Sequence, residues 1–357
     1  LAVGDMNGDG YDDLIVGVVG KRVKGQPRSG AVQIFHGAPS GLNATTQTLI
    51  NGNSPGLPNR AERDDAFGAA LTTGDFDGDG FDDVAIAAPG EAIAGAAAAG
   101  AVFVLHGSPA GVTTRDSLVL HQRRPGIRGR PDAGDQFGAS VAAGDVNGDG
   151  FDDLLVGVPG ESFGGAARAG RVHEFLGGRG GLDSARSRAM GEDFGGNPLR
   201  VESEDRFGAA IAVADITGDG FADAVIASPG ESLGAAAGAG QVLVLDGSRS
   251  GLADVGFQWV HQATDGIDGE PGTDDGFGSS LTLVDLNGDG RRDLAIGIPG
   301  ENAEGADDTG AIVLIPGGRR GVRRSASTSL SQVSPPASDN APGDRFGTAL
   351  ALSLIHI

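Results

Sequence analysis

The sequence has no cysteine, which excludes a disulfide framework, a thiolate metal centre and a cysteine nucleophile. Aromatic residues make up only 5%, and basic side chains number 26 against 48 acidic ones, for a formal net charge of -22. Charge of that sign repels polyphosphate, so neither a nucleic-acid partner nor an anionic lipid surface is expected. No run approaches the roughly 18 apolar residues of a membrane-spanning helix, and no membrane insertion is expected. Glycine, by contrast, is abundant: 65 of 357 residues, far above the usual roughly 7%, which points to many tight turns. It follows no period of three, so collagen is excluded.

The chain repeats itself every 70 residues. GDMNGDGYDDLIVGV at 4 to 18 returns at 74 to 88, 144 to 158, 214 to 228 and 284 to 298, with the first Asp at Asp5, Asp75, Asp145, Asp215 and Asp285. Phe-Gly pairs keep the same step at Phe67, Phe137, Phe207 and Phe277, and a fifth, Phe346, comes one residue early. The units are read as 1-66, 67-136, 137-206, 207-276 and 277-345, with 346-352 starting the next unit or closing a ring. The tail 353-357 is read as foreign to the repeat.

Within the unit at 67 to 136, FGAALTTGDF and DVAIAA read as strand, turn, strand, and GAVFVLHG alternates as a third strand. The turn SPAG follows, then a shorter strand at 117 to 122. The Ala-rich stretch 91 to 100 reads as a loop because of its glycines, with a short helix as the competing reading. Four short strands per repeat is the arithmetic of an all-β propeller built of four-stranded blades.

The recurring loop is D-x-[DNT]-G-D-G-x-x-D. Oxygen side chains at positions 1, 3, 5 and 9, a main-chain carbonyl at position 7 and Gly at position 6 for the sharp turn suit a hard cation, Ca2+ before Mg2+. The side chains are Asp5, Asn7, Asp9 and Asp13; Asp75, Asp77, Asp79 and Asp83; Asp145, Asn147, Asp149 and Asp153; Asp215, Thr217, Asp219 and Asp223; and Asp285, Asn287, Asp289 and Asp293. An EF-hand needs a bidentate Glu at position 12, but here that position is Val16, Ile86, Val156, Ile226 or Ile296. Up to five Ca2+ ions are expected, with Thr217 marking the weakest site.

The Phe-Gly pair, the Asp-rich loop and the following GVPGE or AAPGE run resemble the FG-GAP repeats of the integrin alpha-subunit propeller and its bacterial relatives. That resemblance implies a propeller, usually seven-bladed, of which five repeats are present, so a fragment is expected. It also implies calcium in hairpin loops on one face, ligand on the opposite face, and adhesion as the use. Carried over by position, the carbonyls of Tyr11, Phe81, Phe151, Phe221 and Arg291 would complete the metal ligands.

No GxSxG, HExxH or phosphate loop appears, and no catalytic residue is expected. The histidines His36, His106, His121, His173 and His261 read as exposed or strand-packing. Asp65, Asp135, Asp205, Asp275 and Asp344, two residues before each Phe-Gly pair, read as scaffold that hydrogen-bonds a turn, and the Glu of P-G-E falls under the same reasoning. Ligand recognition should then lie where the copies differ: 21 to 28, 123 to 130, Phe194 and Trp259. The expectation is a non-catalytic extracellular scaffold, secreted or surface-displayed, for protein or glycan ligands. Alternatives are an accessory propeller of a secreted hydrolase or lyase, or a propeller enzyme acting on polysaccharide or lipid head groups.

Overall fold

The structure is a computed structural model that describes residues 1-58, 60-194, 200-302, 307-331 and 341-351. The expected foreign tail at 353-357 lies outside the described residues. Among the described residues twenty strands form five four-stranded antiparallel sheets, each with its strands in chain order. The first holds β1 (Ala2–Gly4), β2 (Asp13–Gly17), β3 (Val32–His36) and β4 (Asn43–Ile50). The second holds β5 (Leu71–Gly74), β6 (Asp83–Ala88), β7 (Ala101–His106) and β8 (Thr113–Leu120). The third holds β9 (Ser140–Gly144), β10 (Asp153–Val158), β11 (Arg171–Phe175) and β12 (Arg188–Met190). β13 (Ala210–Ala214), β14 (Asp223–Ser228), β15 (Gln241–Leu245) and β16 (Gln258–Val260) make the fourth. β17 (Ser280–Val284), β18 (Asp293–Ile298), β19 (Ala311–Ile315) and β20 (Thr328–Ser331) make the fifth. These are the up-and-down sheets of propeller blades, one per repeat.

Two compact units contain them: Leu1–Asp145, Gly150–Glu161 and Val172–Ala189 form one, and Val146–Asp149, Ser162–Arg171 and Met190–Ile357 the other. In the first, β5 packs beside β1 and β9. Its core has two clusters, one around Ile15, Ile34, Phe67, Ile86 and Phe103, the other around Phe76, Phe137, Val156 and Phe175. The second unit has one cluster, including Ile216, Val242, Phe277, Ile296 and Val313. The strands β6, β10, β14 and β18 are buried along their whole length, which explains why they read as near-continuous apolar runs.

Each Phe-Gly pair is a staple. The Phe67 N–H donates to Ser29 O and the Gly68 N–H to Ala87 O, so the segment leading into one blade's third strand is tied to the next blade's second strand. Phe67, Phe137, Phe207 and Phe277 are buried, each contributing about 1.5-3 kcal/mol of transfer free energy. The early Phe346 makes the same bond, to Thr309 O, so the missing residue is absorbed before the staple.

Two readings are refined. The fourth strand of the second blade spans Thr113–Leu120 rather than 117 to 122; as an outer strand it has polar, exposed residues at its start, which hides it from an apolar-run reading. The Ala-rich stretch is a tight turn in which Ile93 and Ala96 exchange backbone hydrogen bonds, and no α-helix occurs among the described residues.

Candidate metal centre

The Asp-rich loop joins the first and second strands of every blade. Its shape is set by the first Asp, whose carboxylate caps the backbone N–H groups of the turn. In the second blade, Asp75 Oδ1 accepts from Gly78 N (2.7 Å) and Asp79 N (3.1 Å), and Oδ2 from Gly80 N (3.0 Å). Asp5, Asp215 and Asp285 accept likewise from Gly10, Gly220 and Gly290 at 2.7, 3.0 and 2.9 Å. At the fourth and sixth loop positions the backbone turns left-handed, with φ +72° at Gly78 and +89° at Gly80. A Cβ on Gly78 would also stand 2.5 Å from the Phe151 ring, so sterics and backbone conformation both demand glycine there.

The loop gathers oxygens. One oxygen from each of Asp75, Asp77 and Asp79 lies within 4.8 Å of the others, and Asp77, Asp83 and His106 form a second such group. Burial and the neighbouring Asp83 and Asp79 push the Asp77 carboxyl up. Asp83 closes the loop from the first residue of β6, with Oδ1 accepting from Gly107 N at 3.0 Å. Asp13, Asp153, Asp223 and Asp293 accept in the same way from Gly37, Gly177, Gly247 and Gly317, each at 2.8 Å. The remaining oxygen separates the copies. Oδ2 of Asp83 is buried without a hydrogen-bond partner, an arrangement that costs about 1-3 kcal/mol unless something else satisfies the oxygen, and Oδ2 of Asp13 has only His36 Nδ1 beside it, at 3.2 Å. Asp223 Oδ2 instead accepts from Ile216 N and Thr217 N at 2.8 and 3.1 Å. Asp293 Oδ2 accepts from Leu286 N and the Asn287 amide at 2.9 and 3.2 Å.

In the third blade, Asp145 Oδ2 accepts from Gly150 N at 2.9 Å, and Asn147 Oδ1 from Asp149 N at 2.9 Å. Asn7 and Asn287 hold Asp9 N and Asp289 N alike, at 2.8 and 2.9 Å. Thr217 has only its hydroxyl, which donates to Asp215 Oδ1 at 3.4 Å. Asp9, Asp79, Asp219 and Asp289 accept from the N–H of Tyr11, Phe81, Phe221 and Arg291. The residue supplying that N–H also packs on the previous blade: Phe81 meets Gly8, Phe221 meets Gly148, and Arg291 meets Gly218.

Sequence reasoning missed two features here. His36 and His106 are neither free-standing nor simple packing residues, since His36 Nδ1 lies 3.2 Å from Asp13 Oδ2 and His106 Nδ1 lies 3.3 Å from Asp83 Oδ1. The Asp83 carboxylate beside it raises the His106 pKa. Their matching positions at the end of the third strand were the available signal. Asp82 and Asp152, unassigned loop residues, accept from Asp5 N (2.8 Å) and Asp75 N (3.1 Å) and so bind each loop to its neighbour.

The scaffold reading of the Asp before each Phe-Gly pair fits the geometry: Asp65, Asp135, Asp205, Asp275 and Asp344 accept from backbone N–H groups three residues upstream. His173 is buried between Phe137 and Phe175. Of the loops that differ between copies, Arg28 pairs with Asp64 at 2.7 Å, and Arg124 donates to Ser184 Oγ at 3.0 Å.

An all-β chain of repeated four-stranded blades, each with a Phe-Gly staple and an Asp-rich hairpin, is defined by these elements. The FG-GAP repeat family matches residues 1-35, 67-105, 137-175, 207-245 and 277-315, more than half of the sequence, and the chain belongs to that family. It is similar to integrin alpha-7 of Rattus norvegicus, 37% identical over 159 residues that are 44% of this chain and 12% of that protein. Integrin alpha-IIb of Homo sapiens is 36% identical over 51% of this chain and 16% of that protein. Integrin alpha pat-2 of Caenorhabditis elegans is 29% identical over 65% of this chain and 18% of that protein. The match thus spans less than a fifth of those relatives. Among solved structures, a Bacillus licheniformis rhamnogalacturonan lyase matches 80% of this chain and 53% of its own at TM-score 0.37 and 14% identity, too low to carry an argument. Among the described residues no helix is long and apolar enough to cross a membrane.

Proposed function

We propose that this chain is a calcium-stabilised extracellular propeller segment acting as a non-catalytic binding scaffold for protein ligands. The observation that carries the metal reading is the buried, unpartnered Oδ2 of Asp83 at the closed end of a loop whose other carboxylates converge. In each loop the side chains at positions 1, 3, 5 and 9, from Asp5, Asn7, Asp9 and Asp13 through to Asp285, Asn287, Asp289 and Asp293, would hold the ion. The carbonyls of Tyr11, Phe81, Phe151, Phe221 and Arg291 would complete each set. Oxygen donors of this kind suit Ca2+, at extracellular-type dissociation constants of roughly 0.1-1 mM. Each site would then add on the order of 1-2 kcal/mol at about 2 mM Ca2+. Sites this weak fill outside cells and stay empty in resting cytosol, which supports the extracellular reading. Five divalent ions would offset ten of the 22 net negative charges.

Similarity to integrin alpha subunits over the repeats supports the scaffold role, with recognition assigned to the loops that differ between blades. The test is metal content and thermal melting of the full chain with Ca2+ and with chelator. Four or five bound ions and a lower melting point on chelation are expected. No bound metal and no shift would reduce the loops to polar turns.

A further inference from the structure

At the blade ends away from the Asp-rich loops, two copies share a polar triad that is buried apart from the half-buried Glu301. Gln122 donates to Glu161 and Gln262 to Glu301, with Asp135 and Asp275 at the third position. One repeat after the first of these triads and one before the second, the matching residues are Glu192, Asp205 and Glu231, so the amide has become a third carboxylate. These residues are 0, 0 and 1% exposed. One oxygen from each lies within 4.8 Å of the others.

Two more positions change with Glu192. Ser228 replaces Ala88, Val158 or Ile298, and Gln241 replaces Ala101, Arg171 or Ala311. Ser228 and Gln241 are register partners across β14 and β15, so their side chains leave the same face of the sheet. The Gln241 amide donates to Glu192 Oε1 (3.2 Å) and Glu231 Oε2 (3.1 Å), which fixes that face as the one bearing the cluster. The Ser228 hydroxyl is fully buried there beside Glu192, and Gln241 Oε1, Glu192 Oε2 and Asp205 Oδ1 are buried without a hydrogen-bond partner. Among the described residues no basic side chain pairs with the three carboxylates.

Three carboxylates out of water beside neutral donors cannot all stay ionised without a counter-charge. Burial first, then the neighbouring carboxylates, raises the pKa of both Glu192 and Glu231. Either protons or a cation must resolve the cluster, and the coincident gain of a hydroxyl and an amide oxygen supplies the donors that a cation needs and a shared proton does not. We propose that Glu192, Asp205 and Glu231, completed by Ser228 Oγ and Gln241 Oε1, form a further buried site for a hard divalent cation of the Ca2+ type, separate from the Asp-rich loops. Turning the Gln241 amide end for end presents its oxygen, since the two ends are assigned by their partners alone. The ion would tie the segment before β13 to the β14–β15 connection.

The test substitutes Glu192→Gln, the residue that positions 122 and 262 already carry. Metal content of the gel-filtered full chain in about 2 mM Ca2+ is compared for wild type, E192Q and the loop variant D75N. E192Q is expected to bind one ion fewer than wild type while melting no lower than wild type in chelator, because a buried charge has been removed. D75N is expected to lose a different ion, so a failure of the loops to bind metal is read separately. An unchanged metal count in E192Q overturns the proposal and leaves a proton-sharing cluster. If E192Q does not fold, wild-type crystals soaked in Mn2+ decide: an anomalous peak among the three carboxylates supports the site, and its absence at saturating Mn2+ overturns it.

Discussion

Loops 75-83 and 215-223 share length, glycines and backbone shape, yet they leave their closing carboxylate in opposite states. In the former, Asp83 Oδ2 is buried and unpartnered, and Asp83 groups with Asp77, which also groups with Asp75 and Asp79. In the latter, two backbone N–H groups satisfy Asp223 Oδ2, and Thr217 supplies a hydroxyl where Asp77 supplies a carboxylate. Burial nonetheless pushes the Asp223 carboxyl up to about 7. One loop leaves a buried oxygen that a cation would satisfy, while the other is largely completed by its own backbone. A motif that looks uniform in sequence therefore encodes sites of unequal demand.

The broadest way to break this comparison is to remove metal altogether. Chelation is expected to lower the melting point by about 10 °C, taking a few °C or less per kcal/mol in a chain of this size; calorimetry with and without chelator checks it, and no change would abolish the distinction. Next, Asp223→Asn should cost about 1-3 kcal/mol even in chelator, because an amide nitrogen cannot accept the Ile216 and Thr217 N–H groups. Asp83→Asn should cost about 1-2 kcal/mol in Ca2+, the binding energy of one ion, and nothing or less in chelator. Denaturant titration of both variants in both conditions gives the four values, and equal behaviour would erase the contrast.

Sharpening the weak loop is a smaller effect: Thr217→Asp should raise its Ca2+ affinity several-fold, worth about 1 kcal/mol, read by calcium titration. The smallest effect concerns pH. Burial raises Glu301 to about 7 and Asp135 to about 6, above their unfolded values, so the folded state binds more protons in the interval and stability falls as pH rises from about 4 to 7. Melting in chelator should therefore be higher at pH 5 than at pH 8, and Glu301→Gln should flatten the slope.

Much of this was legible in advance because each signal was local and repeated. The step from Asp5 to Asp285, the Phe-Gly pairs and the apolar second strands all report residues whose partners lie at a fixed offset. The outer strand Thr113–Leu120 was misplaced because its exposed start carries no apolar signal. His36 and His106 were unreadable as neighbours of Asp13 and Asp83 because the contact joins the third strand to the second across the sheet. Glu192 was invisible for a similar reason: its meaning depends on Asp205, Glu231, Ser228 and Gln241, which chain folding alone brings together.

The amino-acid sequence by itself determined the repeat, the four-stranded blade and the glycine-shaped Asp loop, since turn chemistry and side-chain alternation act between residues close in the chain. Tertiary structure alone decided which carboxylate oxygens are left without a partner, because that depends on the backbone N–H groups and side chains that neighbouring strands and loops bring within reach of each buried oxygen.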